Sequence, residues 1–125
     1  MRNFRTMKMW NDAVDLSVLT YKYTKQFPID EKFGLVSQMN RAAVSVSSNI
    51  AEGCSRSSEI EFKRFLEIAM GSIFELETQF ILANKLMFIN KADLELVVLE
   101  IHQLQKQING LISKIKQDKN KIVNF

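Results

Sequence analysis

Proline occurs once and glycine four times in 125 residues, too few turn-forming residues for the repeated tight reversals of a β-sandwich or barrel. A single cysteine, Cys54, excludes an intrachain disulfide. A single histidine, His102, leaves a His-based metal cluster or a Ser-His-Asp triad without partners. Apolar runs reach only four residues, as in Phe80–Ala83 and Leu86–Ile89, against the roughly 20 needed to cross a bilayer. The amino terminus, Met1 to Thr6, is positively charged, but no apolar signal core follows it. The chain is therefore expected to act in the cytoplasm, away from membranes.

What is present fits one soluble domain spanning 1–125. Apolar residues make up 46% and charged residues 25%, the balance of a globular protein rather than a disordered tail. Net charge is +3, unevenly placed. Arg2, Arg5, Lys8, Lys22 and Lys25 outnumber Asp12 and Asp15 near the amino terminus, and Lys114, Lys116, Lys119 and Lys121 outnumber Asp118 at the other end. Residues 54–88 are close to neutral.

Apolar residues recur at helical spacing in four segments. The first, Lys8 to about Gln26, has two stripes: Trp10, Val14, Ser17 and Tyr21, then Ala13, Leu16, Thr20 and Tyr23. Phe27-Pro28 ends it, because proline disfavours α geometry in the preceding residue. Asp30 is the expected N-cap of a second helix carrying Phe33, Val36, Met39, Ala43, Val46 and Ile50 inward. That helix is rich in alanine and serine, which allow neighbouring backbones to approach, and Gly53 is its expected C′ residue. Ser58-Glu59-Ile60-Glu61 reads as a capping box.

A third helix follows, with Phe62, Phe65, Leu66, Ala69, Ile73, Leu76, Phe80, Ala83 and Met87 on its main face. Ile60, Met70, Phe74, Ile81, Leu82 and Phe88 widen that face beyond one apolar stripe, which implies a central helix or a subunit interface. Asn90 is the expected cap of a fourth helix, with Leu94, Val98, Ile101, Leu104, Ile108, Leu111 and Ile115 inward and Asn109-Gly110 inside it. The fold class is all-α: an antiparallel up-down-up-down four-helix bundle, with a basic arm at 1–7 and a frayed basic tail at 117–125.

Catalytic chemistry finds little support. A di-iron bundle needs Glu-x-x-His on two helices, and no such motif occurs. No glycine-rich phosphate loop or zinc knuckle is present, so neither a cofactor nor a metal is expected. Cys54 reads as an ordinary loop thiol and His102 as a partly exposed helix residue; both are expected to be dispensable. What remains is cations beside aromatics, Arg2, Phe4, Arg5, Lys8 and Trp10, which suit phosphates and unpaired bases or, alternatively, an arm packed on the bundle.

The run from Gln38 through Gly53, with Arg56, Glu61-Phe62, Phe65-Leu66, Ile68-Ala69, Gly71-Ser72 and Glu75-Leu76, resembles the four-helix-bundle proteins encoded in intervening sequences of bacterial large-subunit ribosomal RNA genes. Trp10, Ala13, Tyr23, Phe27-Pro28, Phe33-Gly34-Leu35 and Thr78-Gln79 extend the match over nearly the whole chain. The resemblance implies a non-enzymatic bacterial protein that assembles as a homopentamer. It is similar also to the accessory protein of diversity-generating retroelements, which implies a basic surface for nucleic acid and a possible protein partner. Two departures stand out: Asn40-Arg41 where the family commonly has two basic residues, and Ser47 where it has proline. The residues expected to contact RNA or DNA are Arg2, Arg5, Lys8, Lys22, Lys25, Arg41, Lys114, Lys116, Lys119 and Lys121. Asn49 and Glu52 match polar family positions and are expected to bond backbone at a helix end or across a subunit contact.

Overall fold

The computed structural model describes the backbone of residues 1–123 and the side chains of residues 1–118. Four helices carry it, α1 (Lys8–Thr24), α2 (Leu35–Cys54), α3 (Glu59–Lys85) and α4 (Lys91–Val123), with short 3-10 turns at Phe4–Thr6 and Ile29–Glu31 and no strand among the described residues. Each helix packs on two others: α1 on α2 and α4, and α3 on α2 and α4. The result is a helical bundle around one core. Asn109-Gly110 lies within α4 without interrupting it. The expected frayed tail falls largely on residues 119–125, whose side chains, with all of Asn124 and Phe125, lie outside the described part.

The most extensive contact joins α2 to α3, and the sequence of α2 explains it. Serines, valines and a glycine give this helix little intrinsic propensity, so packing must hold it. Ala42, Ala43, Val46 and Ile50 are buried, and small side chains there bring the two backbones close. Gly53 is the tightest point. It lies inside α2 rather than after it, with a negative φ, and a β-carbon placed on it would stand 2.8 Å from Phe65 Cβ and 3.0 Å from Phe62 Cδ1. Its role is close approach, not the left-handed cap expected from its position.

Three further expectations need correction. Asp30 does not cap α2: it belongs to the 3-10 turn after Pro28, and α2 begins at Leu35 with Gly34 before it. The Leu35 amide donates instead to Glu31 Oε2 at 3.4 Å. Phe33 therefore sits outside the helix, 88% exposed rather than in the core. On α4 the buried residues are Val97, Ile101, Leu104, Ile108, Ile112 and Ile115. Their steps of four and three follow the 3.6-residue period of a straight helix, so Leu94, Val98 and Leu111 only flank the seam.

Met87 does not extend α3 either. The helix closes with Phe88 N–H donating to Ala83 O at 2.9 Å and Met87 N–H to Asn84 O at 3.0 Å, the paired bonds of a Schellman motif. Met87 takes the left-handed position, φ 64°, with its side chain in solvent. Asn84 Nδ2 donates to Ile89 O across the same turn, and Asn90 Oδ1 then accepts from the Asp93 amide at 2.8 Å as the expected cap of α4. Ser58 likewise accepts from the Glu61 amide at 3.1 Å and starts α3.

Thermal and urea melts check this packing. Ala43→Leu should destabilise by about 1–3 kcal/mol, because Ala43 is fully buried at the α2 seam. Gly53→Ala should also destabilise, despite alanine's better helix propensity, since the Phe65 β-carbon cannot rotate away. Met87→Gly should stabilise by up to about 1 kcal/mol by relieving the left-handed strain. A stable Gly53→Ala protein would mean that α2 and α3 lie farther apart.

Candidate nucleic-acid interface

The ten cations expected to contact nucleic acid do not form one surface. Arg2 is turned inward against the α2–α3 corner. Its amide donates to Cys54 O at 3.1 Å, its guanidinium forks onto the Glu59 carboxylate with Nη2 to Oε2 at 2.8 Å, and it lies 4.1 Å over the Phe62 ring. The hydrogen bond from Arg2 holds the Glu59 carboxyl below its ordinary range, and the same bond raises Arg2. Asn3 caps the 3-10 turn of the arm by accepting from the Arg5 amide, and Phe4 packs against Trp10 with ring centroids 4.9 Å apart.

The arm therefore packs on the bundle. Lys8 is paired too, donating to Asp12 at 2.6 Å, while Asp12 also accepts from Gln107 on α4 at 2.8 Å. Those two bonds, Lys8 first, lower the Asp12 pKa. Arg5 stands exposed, 4.6 Å over Phe4. Lys114 and Lys116 are exposed on α4, and the side chains of Lys119 and Lys121 lie outside the described residues.

A different set comes together between α1 and α2. Of the two stripes on α1, Ala13, Leu16, Thr20 and Tyr23 are buried, which leaves Val14, Ser17, Val18 and Tyr21 facing an open groove. Lys22, Lys25, Gln26, Val44 and Ser47 complete it. A second groove adjoins the first through shared Tyr21 and Val44 and adds Lys32, Phe33, Ser37, Asn40, Arg41 and Ser45. Neither lining contains a carboxylate. Four cations thus rim a floor of valines with two exposed rings, Tyr21 and Phe33, and Lys32 Nζ stands 5.5 Å from the Phe33 centroid.

Sequence reasoning identified Lys22, Lys25 and Arg41 but missed Lys32, Tyr21 and Phe33. Assigning Tyr21 and Phe33 to helix stripes hid them; the adjacent Lys32-Phe33 pair beside a proline turn was the available signal. Asn40 accepts from Thr24 Oγ1 at 3.0 Å and so faces α1, half-buried. Arg41 beside it is exposed.

The remaining polar residues serve packing. Asn49 Nδ2 donates to Ser45 O at 2.8 Å and to Ser45 Oγ at 2.9 Å, and Ser45 bonds Ser72 Oγ across to α3 at 2.9 Å. Glu52 pairs with Arg56 at 3.3 Å. His102 is exposed, 3.4 Å from Glu77 Oε2. Cys54 is no loop thiol: it is the buried last residue of α2, 3.5 Å from Met7 Sδ. Burial pushes the thiol pKa up, against the opposing pull of Arg2 and the amino terminus. Among the described residues, no three His, Cys, Asp or Glu side chains group as metal ligands would, and no helix is long and apolar enough to cross a membrane.

These features define the class: an all-helical bundle with an open, cation-rimmed groove between its first two helices. The chain belongs to the 23S rRNA-intervening sequence protein family, which it matches over residues 5–110. A crystal structure from Bacteroides thetaiotaomicron, of a protein of unknown function from the S23 ribosomal protein family, is similar to it with a TM-score of 0.75 and 20% identity, covering 83% of this chain and 97% of that one. That likeness is one of fold. No curated protein matches the chain.

The docking of the arm can be followed through Trp10, the only tryptophan. Because the folded-state pKa of Glu59 is depressed, the stability from its pair with Arg2 is present above the ordinary carboxylate range, about 4.3, and is lost as pH falls through the folded value. Acid titration should therefore shift Trp10 emission before helical circular dichroism is lost. Glu59→Gln should show the shifted emission already at neutral pH. Emission that only tracks the loss of helix in both proteins would show that the arm is held by other contacts.

Proposed function

We propose that this protein is a non-enzymatic, cytoplasmic nucleic-acid-binding bundle of antiparallel up-down-up-down helices that assembles as a homopentamer. The observation that carries the binding reading is the pair of adjoining grooves rimmed by Lys22, Lys25, Lys32 and Arg41 without a lining carboxylate. Unpaired lysines and arginines gather phosphates by releasing condensed counterions, a term that tolerates any sequence.

The antiparallel order draws support from pairs in which a late residue of one helix meets an early residue of the next, such as Thr24 with Asn40 and Gly53 with Phe62. The pentamer draws support from apolar residues left outside the bundle, including Phe74, Ile81 and Leu82 on α3 and Leu96 and Leu99 on α4. A ring needs two unlike, complementary surfaces on each subunit. Five copies of a +3 chain carry about +15, so weak sites act together. The second reading, an accessory subunit that touches only protein, rests on the same apolar faces.

Light scattering coupled to size exclusion should give five times the chain mass of 14.5 kDa; a clean monomer would sink the assembly. Salt titration of RNA and DNA binding should give a steep slope with little sequence preference. Lys25→Gln with Arg41→Gln should flatten that slope by about 1.4 to 1.8, at roughly 0.7 for each single-strand phosphate and 0.9 for each duplex phosphate left without its cation. Lys8→Gln should change it far less, because Asp12 already neutralises that lysine. Absence of binding at low salt would leave the accessory-subunit reading in possession.

A further inference from the structure

We infer that the α1–α2 groove takes a single strand of nucleic acid, with unpaired bases stacked on Tyr21 and Phe33 and phosphates held by Lys22, Lys25, Lys32 and Arg41. This inference rests on the nucleic-acid reading above and narrows it to one site and one form of ligand.

Three observations converge. First, the groove is continuous: Tyr21 and Val44 line both halves, and its α1 wall from Val14 to Lys25 runs for about 17 Å at 1.5 Å per residue. That length suits a few nucleotides, the low end of the roughly 4 to 16 that single-strand sites cover. Second, it presents rings as well as charge. Phe33 is 88% exposed and Tyr21 44% exposed, although several other aromatic side chains of the chain are buried.

Third, the charge is of one sign. All four charged residues in the two linings are cations, and none of them belongs to the ion pairs among the described residues. The paired cations, Arg2, Lys8, Arg56, Lys63 and Lys91, line neither groove. A duplex would satisfy only the cations, because its bases are stacked inside and cannot reach a ring on a groove floor. A single strand brings phosphates and flat apolar base faces along the same short path, which matches both features of the groove.

The test uses the full chain and fluorescence anisotropy with a labelled 12-nucleotide uridine strand and a 12-base-pair RNA duplex. Tyr21→Leu and Phe33→Leu remove the rings and keep apolar bulk, Tyr21→Phe keeps the ring, and helical circular dichroism and light scattering accompany each variant. We expect the single strand to bind at least ten-fold tighter than the duplex. Each Leu variant should lose about ten-fold in single-strand affinity, Tyr21→Phe should retain it, and the salt slope should stay at its parental value in all three.

Equal binding of strand and duplex, untouched by the Leu variants, would overturn the inference and leave the nucleic-acid reading intact. Binding of neither at low salt would remove both. A Leu variant that is folded but lighter in assembled mass would show that the groove is covered by another copy, which also overturns the inference.

Discussion

The close approach of α2 to α3 is the constraint on which the other features depend. A helix of serine, alanine and valine has neither the propensity to stand alone nor bulk enough to fill a wide gap. It is stable only where a neighbour comes near. Gly53 sets the distance at one end, under Phe62 and Phe65, and the Ser45–Ser72 hydroxyl pair continues the contact farther along. A polar pair at a seam remains satisfied only while the helices keep that separation, so the serines fix register as the alanines fix distance.

That commitment decides where the surface features fall. Because α2 gives its small face to α3, what it offers towards α1 on the outside is Val44 and Ser47, short side chains that leave a groove instead of filling it. The wide apolar surface of α1 is then split. One stripe enters the core, and the other, from Val14 to Tyr21, becomes the groove wall while Trp10 takes the arm. Lys22 and Lys25 emerge on that wall because they sit on either side of the buried Tyr23 and Thr24, and Arg41 faces it from α2. The groove thus follows from packing, and its charge from the residues left over.

Much of this was legible in the sequence. The helix count, the start of α3 at Ser58, the cap at Asn90 and the unbroken run through Asn109-Gly110 all rest on local rules, side-chain capping and apolar period, that need no knowledge of neighbours. What was illegible depended on distant partners. Gly53 after an apolar run suggests a left-handed cap, and only the rings of α3 show that its missing β-carbon is what matters. Met87, with a side chain that disfavours the left-handed region, concealed the true end of α3. Arg2 reads as a solvated cation until Glu59, more than fifty residues away, is seen beneath it. Phe33 satisfied the apolar spacing of α2, but the helix starts only after Gly34 and leaves the ring outside it.

Asn40 shows how the two walls of the groove are joined. Position 40 points towards α1, where its amide oxygen receives the Thr24 hydroxyl in a half-buried setting. A long cation there would need to leave the seam to reach solvent, since burying its charge beside a hydroxyl is costly. Asn40 instead ties the α1 and α2 walls of the groove together through an interhelix bond. Arg41 and the loop-borne Lys32 keep cations on that side of the groove, and Lys32 stands on the segment that Pro28 and Gly34 hold out of the helix. Position 40 therefore joins the two helices at the groove's edge, while the charge of the rim is carried by Lys22, Lys25, Lys32 and Arg41.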